Sequence, residues 1–194
     1  MTFYDLVVSR RSIRRFKQTS VPKDLLERCV NAARLAPSAG NRQPFEYIVV
    51  TDKKLLPDVF GAVGWAPPEK PHGEPPEGEK PTAYIVQVKN TKKPYINNSV
   101  FDQGAAMENM ALVALAEGVG STIFNLHNAE QLRKPLDIPP HCEAALVIAL
   151  GYPNEIPVVD TFTDSEKYQY WREANGVHHV PKRPMSEIMH WEHY

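Results

Sequence analysis

A continuous apolar run from Ala144 to Leu150 is the feature that most restricts how this chain can fold. A strand without a polar face has to be covered on both sides, as in a sheet that lies between two layers. The segment 99–117 is rich in alanine and apolar nearly all round, so it predicts a long helix that is buried on most sides. Together these two segments predict a central sheet sandwiched by helices.

Further elements alternate along the chain. Thr2 is a suitable N-cap for a short helix at 3–9, and Pro22 suits the first turn of a second helix that Pro37 ends. Asn128 caps a predicted helix near 129–135, and residues 53–60 predict a helical turn or two. The other predicted strands are Tyr47–Thr51, Ala83–Val88 and Val119–Phe124.

The length of 194 residues suits one domain, residues 1–194. Residues 66–81 hold six prolines and four glutamates and have almost nothing to bury, so they predict an insertion at about 61–81. The more polar residues 152–194 predict a tail that wraps over the domain. For Trp65, Trp171, Tyr168 and Tyr170, packing of the insertion and tail is a better interpretation than substrate stacking.

Composition excludes several classes of protein. The net charge is −1, from 22 basic and 23 acidic residues, which predicts neither a nucleic-acid partner nor a membrane surface. Cys29 and Cys142 are far apart in sequence and predict two buried thiols. The apolar run is far below the ~20 residues of a membrane span, and the N-terminus has no signal-peptide core. A soluble, cytoplasmic protein is expected, and the histidines at 178, 179, 190 and 193 predict no metal site.

Four polar clusters could bind a ligand. Five cations lie within residues 10–17, and arginine forks bind phosphate and carboxylate well, although a solvated basic surface is an equal interpretation. Residues 37–45 follow a predicted helix, and residues 121–127 lie at the end of a predicted strand. Each segment can also be an ordinary turn or connection. Residues 180–184 present Lys182 and Arg183 between prolines, or form a solvated tail.

In combination and order, these clusters resemble the nitroreductase family of FMN-dependent oxidoreductases. The strongest matches are RRSIRRF at 10–16 and PSAGNRQPF at 37–45, with FDQGAAMENMALVALAEGVGS at 101–121 similar to the family's central helix. The resemblance runs from Phe3 to Tyr152, and VPKRP returns near the end. It implies an α+β nitroreductase-like fold with a central mixed sheet flanked by helices, in an intertwined homodimer.

The resemblance also implies roles at the matching positions. Two FMN molecules would lie at the dimer interface, where Arg14 would approach the pyrimidine edge and stabilise the negative charge of the reduced ring. The backbone N–H of Asn125 or Leu126 would lie near flavin N5. The phosphate and ribityl chain would be held by Arg10, Arg11 and Ser12, with Lys182 and Arg183 closing over the phosphate. The flavin ring would be lined from the other subunit by Pro37, Ser38 and Asn41. Along the same ring would lie Ile123, Phe124, Asn125 and Leu126.

No catalytic side chain is predicted, because the cofactor carries the electrons. The implied activity is ping-pong hydride transfer from NAD(P)H through FMN to a small electron-poor acceptor, such as a nitroaromatic or quinone. A specialised member (a reductive dehalogenase, a flavin-fragmenting enzyme or a dehydrogenase of a peptide-derived ring) and a flavin-binding protein without turnover are the alternatives. Phe45, where the family often has Trp, and the sequence IFNLH at 123–127 depart from the pattern and leave the substrate open.

Overall fold

The computed structural model describes residues 2–93, 100–162 and 168–194. Within these residues the helices are α1 (Phe3–Ser9), α2 (Lys23–Arg34), α3 (Leu56–Ala62) and α4 (Val100–Ala116). The strands are β1 (Phe16–Lys17), β2 (Phe45–Val50), β3 (Ala83–Asn90), β4 (Gly120–Asn125), β5 (Cys142–Pro153), β6 (Ile156–Thr161), β7 (Trp171–Arg172) and β8 (Val177–Lys182). Short 3-10 turns occupy Ala39–Asn41, Ala129–Leu132 and Met185–Glu187.

The predicted helix starts are largely confirmed. The Thr2 hydroxyl accepts the N–H of Asp5 at 3.1 Å, and the Asp5 carboxylate accepts the N–H of Thr2 at 2.8 Å, which completes a capping box. Pro22 immediately precedes α2. The helix predicted at 53–60 lies slightly later, as α3, and the helix predicted at 129–135 is only a 3-10 turn, although Asn128 caps it as expected.

The central sheet has the order β4–β5–β3–β2, and β1 pairs with the last two residues of β5. Each pairing between these five strands is antiparallel, which differs from the mixed sheet that was predicted. The parallel contact near this sheet is an isolated bridge between Ser12 and Ser121. Sequence patterns show that a strand is buried but not the direction of its neighbour, so this detail could not be predicted.

Both faces of the sheet are covered, as the apolar run in β5 predicted. Along β3, Ala83 and Ile85 pack against α2 and α4, whereas Tyr84 and Val86 pack against α3 and the 129–132 turn. This alternation is the period of two expected for a strand. The sheet is therefore a rigid central layer, and β4 at its edge is available to border a site.

Two glycines allow the arginine-rich segment to approach the sheet. Gly120 of β4 pairs with Gly151 of β5, and the side chains of Ile13 and Phe16 lie directly over them. A Cβ at Gly120 would lie 2.6 Å from Ile13 Cγ1, and one at Gly151 would lie 2.8 Å from Phe16 Cδ1. The absence of these two Cβ atoms brings residues 10–16 against the sheet.

The C-terminal region is more regular than its sequence predicted. Strand β8 pairs in parallel with β6 and antiparallel with β7, so these three strands build a second sheet. His179 on β8 lies between the carboxylates of Asp160 and Glu173, with nitrogen–oxygen distances of 2.8 and 2.9 Å. These contacts join β8 to β6 and to the residue that follows β7.

The two cysteines agree with the prediction from the sequence. Cys29 and Cys142 are buried, free thiols in the two opposite core layers. Burial raises the pKa of the Cys29 thiol to about 11, so it is inert. Among residues 2–93, 100–162 and 168–194, no helix combines the length and the apolar character that a membrane crossing requires.

Candidate active site

The arginine-rich segment that follows α1 is fixed along its backbone. The N–H of Ile13 donates to the carbonyl of Ser121 at 2.8 Å, which aligns the segment with the start of β4. On the other side, the Glu155 carboxylate accepts the backbone N–H of Arg14 at 2.5 Å and of Arg15 at 3.3 Å. The segment is therefore held in an extended form, and its side chains leave it in different directions.

Two of its cations have carboxylate partners. Arg10 forms an ion pair with Glu108 on α4 at 2.8 Å, and Arg15 forms one with Glu79 of the Pro-rich segment at 2.7 Å. Both pairs are partly buried. They anchor the segment to its neighbours, so the positive charge that remains for a ligand comes chiefly from the arginines between them.

Arg11 is the first of these arginines. One of its terminal nitrogens donates to the carbonyl of Arg10, and its Nε is buried with no hydrogen-bond partner among the described residues. Burial, together with the neighbouring charge of Arg10, lowers the pKa of Arg11 from its ordinary value, although a guanidinium stays charged at neutral pH. A buried donor without an acceptor is costly, so Arg11 is suited to bind an anion.

Arg14 lies at a cavity with the end of β4. Its guanidinium lies 5.5 Å from the ring centre of Tyr170, and burial is the main cause that lowers its pKa. The cavity has a volume of about 430 Å³, within the usual range for ligand pockets. It is lined by Arg14, Gly64, Trp65, Ala66, His72, Thr122, Ile123, Phe124 and Asn125. Four of the predicted cofactor-binding residues are thus brought together here.

Within this group the strand alternates in its exposure. Ile123 and Asn125 are exposed, whereas the Phe124 ring packs into the core 4.5 Å from Trp65. Trp65 also stacks on Phe60 at 5.1 Å. The next predicted residue, Leu126, is half-buried and bridges to Val63, just outside the cavity lining.

Pro37 and Ser38 line a different cavity of about 530 Å³, bordered by α2, α4 and β2. The Ser38 hydroxyl accepts the N–H of Gln43 at 3.1 Å, and the N–H of Ala39 donates to the carboxylate of Asp102. Asn41 has a φ of 52°, and its carbonyl and side-chain oxygens accept from the Gln43 side chain. This chain therefore does not bring Pro37 and Ser38 into the cavity of Arg14.

The last predicted pair lies at the end of the second sheet. Lys182 is the final residue of β8, and its carbonyl accepts the N–H of Phe162 at 3.1 Å. Arg183 donates to the carbonyl of Glu187 at 2.8 Å and lies 3.7 Å from its carboxylate. Both side chains are exposed.

The structure adds residues to which sequence reasoning assigned no individual role. His72 and Thr122 line the cavity of Arg14, and Glu155 fixes the backbone behind it. The side chain of Glu155 is only 1% exposed, and its second oxygen lies 2.5 Å from Arg172, in ion-pair contact but outside hydrogen-bond geometry. Nothing in the sequence around Glu155 indicates a functional role, whereas His72 could have been noticed as an isolated histidine in a segment of prolines and glutamates.

The chain matches the model of the nitroreductase family over residues 7–152. It belongs to the nitroreductase family. The matched span contains the arginine-rich segment, the 37–45 segment, α4 and the end of β4, and so includes every sequence motif of the resemblance except the C-terminal VPKRP.

Individual relatives agree with this assignment. A protein of Archaeoglobus fulgidus whose name carries both NADH dehydrogenase and NAD(P)H nitroreductase is 32% identical over 154 residues, which cover 77% of this chain and 84% of that protein. An iodotyrosine deiodinase of Thermotoga neapolitana is 25% identical over 170 residues, covering 78% and 89%. A structure from Desulfovibrio desulfuricans, solved in complex with FMN, superposes with a TM-score of 0.72 at 21% identity, covering 100% and 98%, and thus shares the fold.

Proposed function

We propose that this protein is an FMN-dependent oxidoreductase that passes a hydride from NAD(P)H to an electron-poor acceptor, such as a nitroaromatic or a quinone, in a ping-pong reaction. The observation that carries the proposal is the shared cavity of Arg14 and the end of β4, in a chain of the nitroreductase family. Bound FMN supplies the chemistry, because a flavin accepts a hydride from one substrate and returns it to another.

The residues present fit such a cofactor. A flavin phosphate needs charged donors, and the buried Nε of Arg11 lacks a partner among the described residues. The adjacent Ser12 is half-buried, and Arg10 retains further guanidinium donors beside its pair with Glu108. Arg11 and Ser12 would hold the phosphate side, with Arg10 in support and Lys182 and Arg183 closing over it.

Arg14 would act on the ring. Reduction of a flavin places negative charge on the pyrimidine side of the ring system, and a fixed cation there favours the reduced form. The guanidinium of Arg14 lies at the cavity, partly withdrawn from water, while its backbone is held by Glu155. Electrostatic stabilisation is strong under these conditions, because no reorganisation is needed when the charge arrives.

The second part of the proposal is a homodimer. Pro37, Ser38 and Asn41 would line the ring of the partner's cofactor, which is consistent with their separation from Arg14 within one chain. Helix α1 has no buried residue, and Phe3, Tyr4 and Phe101 are about three-quarters exposed. Apolar surface of this kind is typical of an obligate interface.

A two-substrate kinetic experiment tests the activity. With FMN bound, initial rates at several acceptor concentrations should give parallel double-reciprocal lines against NADH or NADPH, since donor and acceptor use the site in turn. Each half-reaction should also proceed alone in anaerobic stopped-flow mixing. Intersecting lines, or flavin reduction that requires the acceptor, would contradict the ping-pong scheme.

A reductive dehalogenase is the second candidate, and it is favoured by the similarity to the deiodinase of Thermotoga neapolitana. Both candidates need the same cofactor, so the substrate separates them. Halide release from an iodinated or brominated phenol, faster than the reduction of nitroaromatics or quinones, would select the dehalogenase. Nitroaromatic or quinone reduction without halide release would select the first activity.

A further inference from the structure

His72 reaches the cavity of Arg14 from the Pro-rich segment, where sequence reasoning placed no functional group. Residues 66–73 form a compact turn: Ala66 bridges to Gly73, and the N–H of Gly73 donates to the carbonyl of Lys70 at 2.9 Å. Arg172 holds the turn from the second sheet by donating twice to the carbonyl of Pro71, at 3.1 and 2.8 Å. The position of His72 is therefore fixed from both sides.

The imidazole of His72 belongs to a layered cluster. Its ring centre lies 4.8 Å from that of Tyr170, and Tyr170 in turn stacks on His178 at 5.5 Å and contacts Arg14. His72 lines the cavity, whereas His178 is fully buried behind Tyr170. The Nδ1 atom of His72 is buried and has no hydrogen-bond partner within the described part of the chain. A ring nitrogen in that state is available to a bound ligand or a proton.

Burial and the charges that face His72 favour its neutral form. The charges are Arg14 from the arginine-rich segment and Lys70 from its own turn, and the titratable groups of the same cluster are Tyr170, just before β7, and His178 on β8. Burial, then Arg14 and Lys70, lower the pKa of His72, and burial lowers the pKa of His178 to about 4. The carboxylate of Glu155, which acts on His178, is in ion-pair contact with Arg172.

We propose that His72 is a cofactor-contacting residue that takes up one proton when the bound FMN is reduced and releases it on reoxidation. This inference rests on the proposed function. Hydride transfer from NAD(P)H brings two electrons and one proton to the ring and leaves one negative charge in the cavity of Arg14. That charge opposes the effect of Arg14 and Lys70, so the neutral imidazole accepts a proton from solvent.

The balance closes in the second half-reaction. The acceptor receives the hydride, and the proton that it also needs comes from the His72 imidazolium, which returns to its neutral form. One turnover thus consumes one hydride from the donor and one proton from solvent, passed through His72. The flavin would carry the hydride, and His72 would carry the second proton that accompanies the electron pair.

The pH dependence of the flavin midpoint potential tests this directly. Between the pKa of His72 in the oxidised protein, below about 6.5, and its higher pKa in the reduced protein, the wild type should take up two protons per two electrons. His72→Gln should take up one, so that the slope of potential against pH is halved in this window. His193→Gln, in the exposed end of the tail, is the matched control and should retain the wild-type slope.

Two further measurements separate the possible failures. FMN affinity, from fluorescence quenching on the apoprotein, comes first: a wild type that does not bind FMN overturns the proposed function itself. If FMN binds tightly to all variants and the slope of His72→Gln and His72→Asn equals that of the wild type, only the role of His72 is overturned. A halved slope in His178→Gln, with an unchanged slope in His72→Gln, would overturn it as well.

Discussion

Glu155→Gln is expected to destabilise the protein strongly, although it changes only one functional group. The Glu155 side chain is 1% exposed, accepts the backbone N–H groups of Arg14 and Arg15 with one oxygen, and lies 2.5 Å from Arg172 with the other. Glutamine retains an acceptor for the two N–H groups but removes the charge. Arg172, whose side chain is 15% exposed, then becomes a nearly buried cation without a counter-charge.

The magnitude follows from that environment. Removal of one partner from a buried ion pair costs about 3–5 kcal/mol. Arg172 retains its two hydrogen bonds to the carbonyl of Pro71, so the lower end, about 3 kcal/mol, is expected. With a urea m-value of about 3 kcal/mol/M for a chain of this size, the unfolding midpoint should fall by about 1 M.

Urea unfolding followed by circular dichroism provides the assay, in a double-mutant cycle with Arg172→Met. Each single variant leaves one buried charge unpaired, whereas the double variant leaves none, so its loss should be smaller than the sum of the two by about 2 kcal/mol. Glu117→Gln, which breaks the exposed pair with Arg28, is the control and should cost less than about 1 kcal/mol. Additive losses, or a Glu155→Gln midpoint equal to that of the wild type, would refute the reasoning.

Four other predictions address packing, pH, catalysis and assembly. Gly120→Ala should lower the free energy of unfolding by about 1–3 kcal/mol, because the new Cβ would collide with Ile13. Gly64 has open space around it, so Gly64→Ala should change the free energy of unfolding by less than about 0.5 kcal/mol. Equal losses for the two variants in chemical denaturation would contradict this prediction. The pKa of His179 is raised, because hydrogen bonds to nearby carboxylates outweigh burial, so its contribution to stability is full below the unfolded pKa of about 6.5 and is lost as pH rises through the folded pKa. The difference in Tm between wild type and His179→Gln should therefore shrink as pH rises above the folded pKa. A constant difference would exclude the ion pairs. Arg14→Ala should slow flavin reduction by NAD(P)H at least tenfold (about 1.4 kcal/mol) in stopped-flow absorbance, and an unchanged rate would remove Arg14 from that role. FMN binding and dimerisation should be coupled, and sedimentation of an FMN-loaded monomer would show that one chain is sufficient.

Local signals in the sequence were enough for helices α1, α2 and α4 and for strands β2 to β5. Thr2 and Asp5 form their capping box within one turn, and Pro22 and Pro37 bound α2 through their own backbone restrictions. The apolar run of β5 required cover on both faces, and both core layers are present. Each of these inferences depends on neighbours in sequence.

The second sheet could not be predicted in the same way. Strands β6 and β8 are partly polar, and β8 contains Pro181, which is unfavourable in most strands. Their parallel pairing joins residues that are distant in sequence, as does the contact of His179 with Asp160. No period within residues 152–194 reports on such contacts.

In the candidate site, too, some residues could be predicted from the sequence and others depend on contacts between distant parts of the chain. Arg14, Ile123, Phe124 and Asn125 were predicted through the family resemblance, and all four line one cavity. The position of His72 in that cavity depends on contacts with residues about 100 positions away, because Arg172 donates to the carbonyl of Pro71 and Tyr170 packs beside the ring. The surroundings of Arg10 and Arg11 also differ for a reason that sequence cannot show: Glu108 on α4 pairs with Arg10, whereas the Nε of Arg11 has no hydrogen-bond partner among the described residues.

The central claim, that this chain binds FMN and reduces it with a nicotinamide, is tested most directly by an absorbance spectrum of the purified protein under anaerobic conditions. The protein, as isolated or after addition of FMN and removal of the excess, should show the flavin bands in the blue, and NADH or NADPH should bleach them. A colourless protein that does not retain added FMN would contradict the assignment of Arg11 and Arg14 to the cofactor. Bands that persist with both nicotinamides would instead mean that the protein stores flavin or takes its electrons from another donor.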